Sequence, residues 1–121
     1  MEREKIFTIG QKKFTAKFPN VGQIIDMESL KQALTQSRYG QMAMSGIQSQ
    51  YFALDLVDAI SFFQVVVPEV GKYFDITNYT SLSIDKTNDL LKAYTEVIRP
   101  WFNETLNELK NLANEGENKD N

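Results

Sequence analysis

The sequence predicts a mainly α-helical domain that opens with a β-hairpin, an α+β arrangement with a small bundle of about four helices. Three observations predict it. Near the start, Phe7 and Ile9, then Phe14, Ala16 and Phe18, alternate with polar residues across Gly10-Gln11. In the middle, the stretch from Tyr51 to Val67 (YFALDLVDAISFFQVVV) is apolar almost all round, with Asp55 and Asp58 its only charges. Towards the end, Leu90, Leu91, Tyr94, Val97, Ile98, Trp101, Phe102, Leu106, Leu109 and Leu112 recur at helical spacing. With 121 residues and 42% hydrophobic content, the chain can build one real core and is unlike a globally disordered sequence. The expected domain covers residues 1–116, with a hairpin over 5–18, main helices over 20–36, 49–67 and 85–115, and a disordered tail over 117–121.

The hairpin pairs Lys5–Ile9 with Lys13–Phe18. Glycine at the first of two turn positions fits a tight β-turn. Its apolar face must cover something, because a lone hairpin is marginal in water. The helical body is the nearer candidate, and a partner surface is the alternative. Pro19 closes this unit. Asn20 and Gln23 then have the spacing of a capping box, with the side chain of one serving the backbone of the other. The helix that follows turns Val21, Ile24, Met27, Leu30 and Leu34 inward and leaves Asp26, Glu28, Lys31 and Gln32 to water. A break follows at Ser37–Gly40, with Gly40 suited to a positive φ. Residues 41–48 form a short helix or a connector, with Met42 and Met44 as adaptable core filler.

The central helix starts near Ser49, and Pro68 ends it, since the residue before a proline is steered away from helix. Its Ala53, Leu56, Val57, Ile60, Phe63 and Val67 form one apolar stripe. A short helical turn follows over residues 69–74. The turn-rich run from Asp75 to Ser83 is a loop in which Tyr79 is expected to be exposed. The last helix starts near Asp85, capped by Ser83 or Asp85. Pro100 lies inside it and removes one backbone hydrogen bond, so a kink or break is expected at Arg99–Pro100. Gly116 is placed to end it.

Composition narrows the chemistry. The chain holds no cysteine and no histidine, which removes thiolate nucleophiles, the commonest general base and the commonest ligands for zinc, copper or iron. No phosphate-binding glycine loop or nucleophile elbow is present. Residues 1–19 carry five basic and two acidic groups on an otherwise acidic chain of net charge −3. That is a sparse footprint for nucleic acid, and lysines on a strand face are ordinary solvated edge residues. Met1–Gly10 lacks the apolar core of a signal peptide, and the central stretch falls short of the about 20 apolar residues that span a bilayer. The expectation is a soluble, intracellular protein that binds neither membrane nor nucleic acid. Asp55 and Asp58, spaced i, i+3, share a helix face and could hold a hard cation or act as acid and base. The favoured reading is a solvent-facing or salt-bridged edge of the helix, with Arg38 or Arg99 as the candidate partner. Glu108-Leu109-Lys110 has a Glu-x-Lys arrangement used by some nucleases, but on a helix the two side chains do not face one way. Trp101 reads as core before interface. Neither catalytic nor metal-binding nor cofactor-binding residues are assigned.

The order of elements resembles small tail assembly chaperones of tailed bacteriophages and prophages. The stretches that carry the likeness are FTIGQKKFTAKFP, NVGQIIDMESLKQALTQSRYGQM and ALDLVDAISFF, with the acidic last helix behind them, over most of residues 6–112. The resemblance implies a non-catalytic protein of the bacterial host cytoplasm. It would cover apolar helices of the long tape-measure protein until the tail tube assembles. The alternative is a structural virion subunit, of tail or connector, that self-assembles as a homo-oligomer. In either case a protein partner, or a second copy, is expected at a groove between the central and last helices, near Tyr51, Phe62, Val66, Trp101 and Phe102.

Overall fold

The computed structural model describes residues 3–119, with side chains through residue 114. Strands β1 (Glu4–Ile9) and β2 (Lys12–Lys17) pair antiparallel, with Phe7 opposite Phe14 and Ile9 opposite Lys12. Gly10 and Gln11 make the turn. Gly10 has φ +61°, and the glycine-first, positive-φ pattern is that of a type II′ hairpin, whose twist matches the strands. Phe7, Ile9, Phe14 and Ala16 are buried on one face, so the hairpin packs on its own helical body. Phe7 stacks on Phe14 with ring centroids 5.5 Å apart and meets Phe63 at 5.4 Å. Past the strands, Phe18 stacks on Phe102 and sits edge-on to Trp101.

Helix α1 spans Val21–Thr35 and begins with the expected capping box. Asn20 Oδ1 accepts from Gln23 N, and Gln23 Oε1 accepts from Asn20 N, both at 2.9 Å. It buries Met27 and half-buries Ile24, Leu30 and Leu34. Val21 is exposed, contrary to expectation; Lys31, expected in water, is half-buried in a polar contact described below. The chain leaves α1 through Gln36 (φ 55°) and Ser37 (φ 65°). Gly40 was the expected positive-φ position, but it lies inside the next helix, α2 (Tyr39–Ala43), and the left-handed turn falls earlier, on the cap of α1.

Helix α3 runs from Gln48 to Val66, one residue earlier at each end than expected. Burial along it is graded. Its first half buries only Leu54, whereas its second half buries Ala59, Ser61, Phe62 and Phe63. Val67 and Pro68 lead into α4 (Glu69–Phe74), where Val70 is fully buried. The following loop contains a 3₁₀ turn over Tyr79–Ser81, started by Asn78, whose side chain accepts from Thr80 N. Tyr79 is buried, not exposed. The turn tucks its ring against Gly71, where there is no side chain to keep it out.

Helix α5 (Ile84–Ala93) does not stop before Pro100. It continues through a π-helical turn, Tyr94–Ile98, into α6 (Arg99–Lys119). Proline has no N–H to give and its ring crowds the carbonyl four residues back. Widening the turn, so that Arg99 N donates to Tyr94 O, passes the chain over that obstacle without a break. The helix also runs past Gly116. The expected disordered tail falls partly on Asp120 and Asn121, which lie outside the described residues. The core lies where the second half of α3, the hairpin, α4 and the α5–π–α6 helix meet. Its largest fully buried side chains are Phe62, Phe63, Ile9, Leu90, Ile98, Val67, Val70 and Ser61.

This packing gives Phe63→Ala an expected cost of about 3–5 kcal/mol in urea unfolding, from lost burial plus a cavity. Gly10→Ala is expected to cost about 1–2 kcal/mol from the left-handed backbone alone. A Cβ there would also lie 2.6 Å from the Tyr73 hydroxyl, which must swing aside.

Candidate functional site

Two features stand out against this frame, a polar network in the middle of α3 and an apolar surface at its beginning. The network centres on Asp58. Its Oδ1 accepts from the Tyr39 hydroxyl at 2.7 Å, and Lys31 Nζ lies 3.9 Å from the same oxygen. Its Oδ2 is 3.5 Å from the Arg99 guanidinium, which also donates to Asp55 Oδ1 at 2.7 Å. Lys31 is held from the far side by Glu28 at 3.0 Å and lies over the Tyr39 ring, and Arg99 lies over the Tyr94 ring. One carboxylate thus ties α1, α2 and α6 to α3. Of the two partners proposed from sequence, Arg99 is the one that reaches the aspartates. Arg38 donates to the Thr35 carbonyl and the Gln36 side chain instead.

Burial raises the Asp58 pKa above the ordinary aspartate value, and the Tyr39 hydrogen bond, Lys31 and Arg99 oppose that only in part. Tyr39 is raised as well, first by burial and then by its bond to the Asp58 carboxylate. Tyr94 is pushed up to about 12, chiefly by burial. Neither Tyr39 nor Tyr94 therefore ionises near neutral pH. The chemistry open to this cluster is limited, because both carboxylates already face a guanidinium. Among the described residues no group of three acidic, histidine or cysteine side chains is placed to hold a metal ion.

The apolar surface is a short run. Met44, Ile47, Tyr51 and Phe52 are 89%, 49%, 40% and 49% exposed, around the junction of α2 with α3. Ile47 precedes the first turn of α3, and its carbonyl accepts from Tyr51 N at 3.1 Å. No side chain caps the start of α3; Ile47 N donates to the Ser45 hydroxyl just before it.

The five residues expected to line a partner groove do not form one surface. Phe62 and Trp101 are core, at 1% and 4% exposure. Val66 and Phe102 are half-buried, and Phe102 is covered in part by Phe18. Tyr51 alone is exposed, and it belongs to the run from Met44 to Phe52. Phe18, past the end of the hairpin, packs on Trp101 and Phe102 where a partner was expected. Sequence reasoning missed the parts of the network that come from α1 and α2. Lys31 and Tyr39 carry no motif, and only the folding back of α1 along α3 brings them to Asp58.

Among the described residues no single helix is long and apolar enough to cross a membrane. No known protein family, no curated protein and no solved structure matches the chain.

The raised Asp58 pKa has a definite sign. The folded protein keeps this proton to higher pH than the unfolded chain, so the stability tied to it is full below the unfolded aspartate pKa. It is lost as pH rises through the folded value. Asp58→Asn keeps an acceptor for Tyr39 and is expected to flatten that fall when unfolding is followed from acid to neutral pH. Arg99→Ala leaves both aspartates without their guanidinium. It is expected to cost about 1–3 kcal/mol, less than a fully buried pair because Asp55 is part-exposed.

Proposed function

We propose that this chain is a non-catalytic protein-binding module, a phage tail assembly chaperone that covers apolar helices of a tape-measure protein in the bacterial host cytoplasm. The observation that carries the reading is the exposed run Met44, Ile47, Tyr51 and Phe52 at the thin end of α3. Large apolar side chains that fold outward while the core elsewhere is well filled are surface kept for another chain. Cover of such a surface is worth about 25 cal/mol per Å², so a patch of modest size can hold a helix reversibly. An amphipathic helix that lays its apolar face on these side chains is the matching ligand. The spent state of Asp55 and Asp58, both engaged by Arg99, supports a role without chemistry.

The test is co-expression of the chain with a tape-measure protein, reading how much of the latter stays in the supernatant. The native chain is expected to raise that fraction. Phe52→Asp and Tyr51→Asp are expected to abolish the effect while shifting stability by no more than about 0.5 kcal/mol, as surface changes do. Phe62→Asp is expected to unfold the protein. An unchanged tape-measure solubility, with light scattering showing a large closed ring at every concentration, would move the reading to a self-assembling tail or connector subunit.

A further inference from the structure

The hairpin has a second face and a second edge that the core does not use. Its inward residues form the hydrogen-bonded pairs of the ladder, a pattern continued by Phe18 N donating to Arg3 O at 2.7 Å. In an antiparallel pair the alternate residues point their N–H and C=O groups the other way. On β2 these are Lys13, Thr15 and Lys17, all exposed. β1 is packed against α5 and the π turn, and no helix packs on β2 in the same way. The three residues make no backbone hydrogen bond outside the ladder, and neither lysine has an ion-pair partner among the described residues. Beside this edge runs an open groove of about 390 Å³. Thr15 and Lys17 of β2 line it together with Gln23, Val66, Pro68 and Glu69.

We propose that the free edge of β2 is a strand-addition site for an extended, acidic segment of a partner protein. The backbone supplies the hydrogen bonds, as in other cases of β-augmentation. Charge selects the strand. Added residues that face outward beside Lys13 and Lys17 are four apart in sequence and meet a lysine each, so carboxylates belong there. Residues between them face inward, over Val66 and Pro68 and close to Glu69, so they must be apolar or neutral. The segment therefore has the pattern acidic, apolar, any, apolar, acidic. A second copy of this chain does not fit the same edge. Pairing β2 with β2 about Thr15 sets each Lys13 opposite a Lys17, and like charges directly opposed repel. The surface and the ligand both differ from those of the proposed chaperone role, so the inference stands or falls apart from it.

The experiment is amide-resolved NMR of the full chain titrated with two blocked peptides, Ser-Glu-Val-Thr-Val-Glu-Ser and its counterpart with both glutamates changed to lysine. With the first, the amides of Lys13, Thr15 and Lys17 are expected to shift and become protected from exchange. The lysine peptide is expected to bind about tenfold more weakly. The double variant Lys13→Glu, Lys17→Glu is expected to reverse that preference. Thr15→Pro removes an outward N–H and spares the ladder, so it should abolish binding while the helical circular dichroism stays unchanged. Equal binding of both peptides, no shift at millimolar peptide, or shifts confined to the helices would overturn the proposal. So would the same three amides shifting on simple concentration of the protein without peptide, which would give the edge to a second copy.

Discussion

Pro100 sets a constraint on which much of the later structure depends. A proline inside a long helix must break it, bend it or be accommodated, and here the chain accommodates it by widening the turn from Tyr94 to Ile98. One extra residue in a turn rotates everything beyond it by about 100° relative to an unbroken helix. The rotated face carries Arg99, Trp101, Phe102 and Thr105. Arg99 then meets Asp55 and Asp58 on α3, Trp101 and Thr105 enter the core, and Phe102 receives Phe18. The ion pair and the seating of the hairpin's end share one backbone cause.

Much of this was legible in the chain. The alternation of Phe7, Ile9, Phe14 and Ala16, the Gly10 turn, the Asn20–Gln23 box and the stop at Pro68 are local signals, and local signals are what a sequence carries openly. Asp55 and Asp58 were readable as a pair needing a cation, because charges on an apolar helix are normally matched. What was not legible depends on contacts between distant segments. Tyr79 stands among turn-forming residues, and only the bare backbone of Gly71 gives its ring a place to bury. Phe62 and Trp101 carry no mark that separates a core aromatic from an interface one. Gly40 has the right residue type for a left-handed turn, yet Gln36 and Ser37 take that geometry because the end of α1 sets where the chain must reverse.

The molecule is unevenly built. The second half of α3 is surrounded on several sides by the hairpin, α4 and the long last helix. The first half carries less cover: α1, packed along α3, buries Met27 and Thr35, α2 buries nothing fully, and Arg99 reaches Asp55 from α6. Asp58 stands at the boundary between the two halves, joined to Lys31 and Tyr39 on the thin side and to Arg99 on the thick side. Its charge is poorly repaid by its partners, so the tie between the halves is costly as well as specific. A thin half with outward apolar residues can adjust to a ligand without loosening the well-filled half.

The seating of the first strand on the last third of the chain also has a consequence in time. The cover of β1 is completed by α5 and the π turn, which begin about 75 residues or more after Ile9, a long loop to close before that part of the reward is collected. During synthesis at about 5–20 residues per second, the strand emerges several seconds before α5 exists to receive it. Through that interval part of the apolar face of the nascent hairpin lacks its final cover. The lysines along its strands, at positions 5, 12, 13 and 17, then act as a repellent coat that keeps neighbouring nascent chains from zipping together.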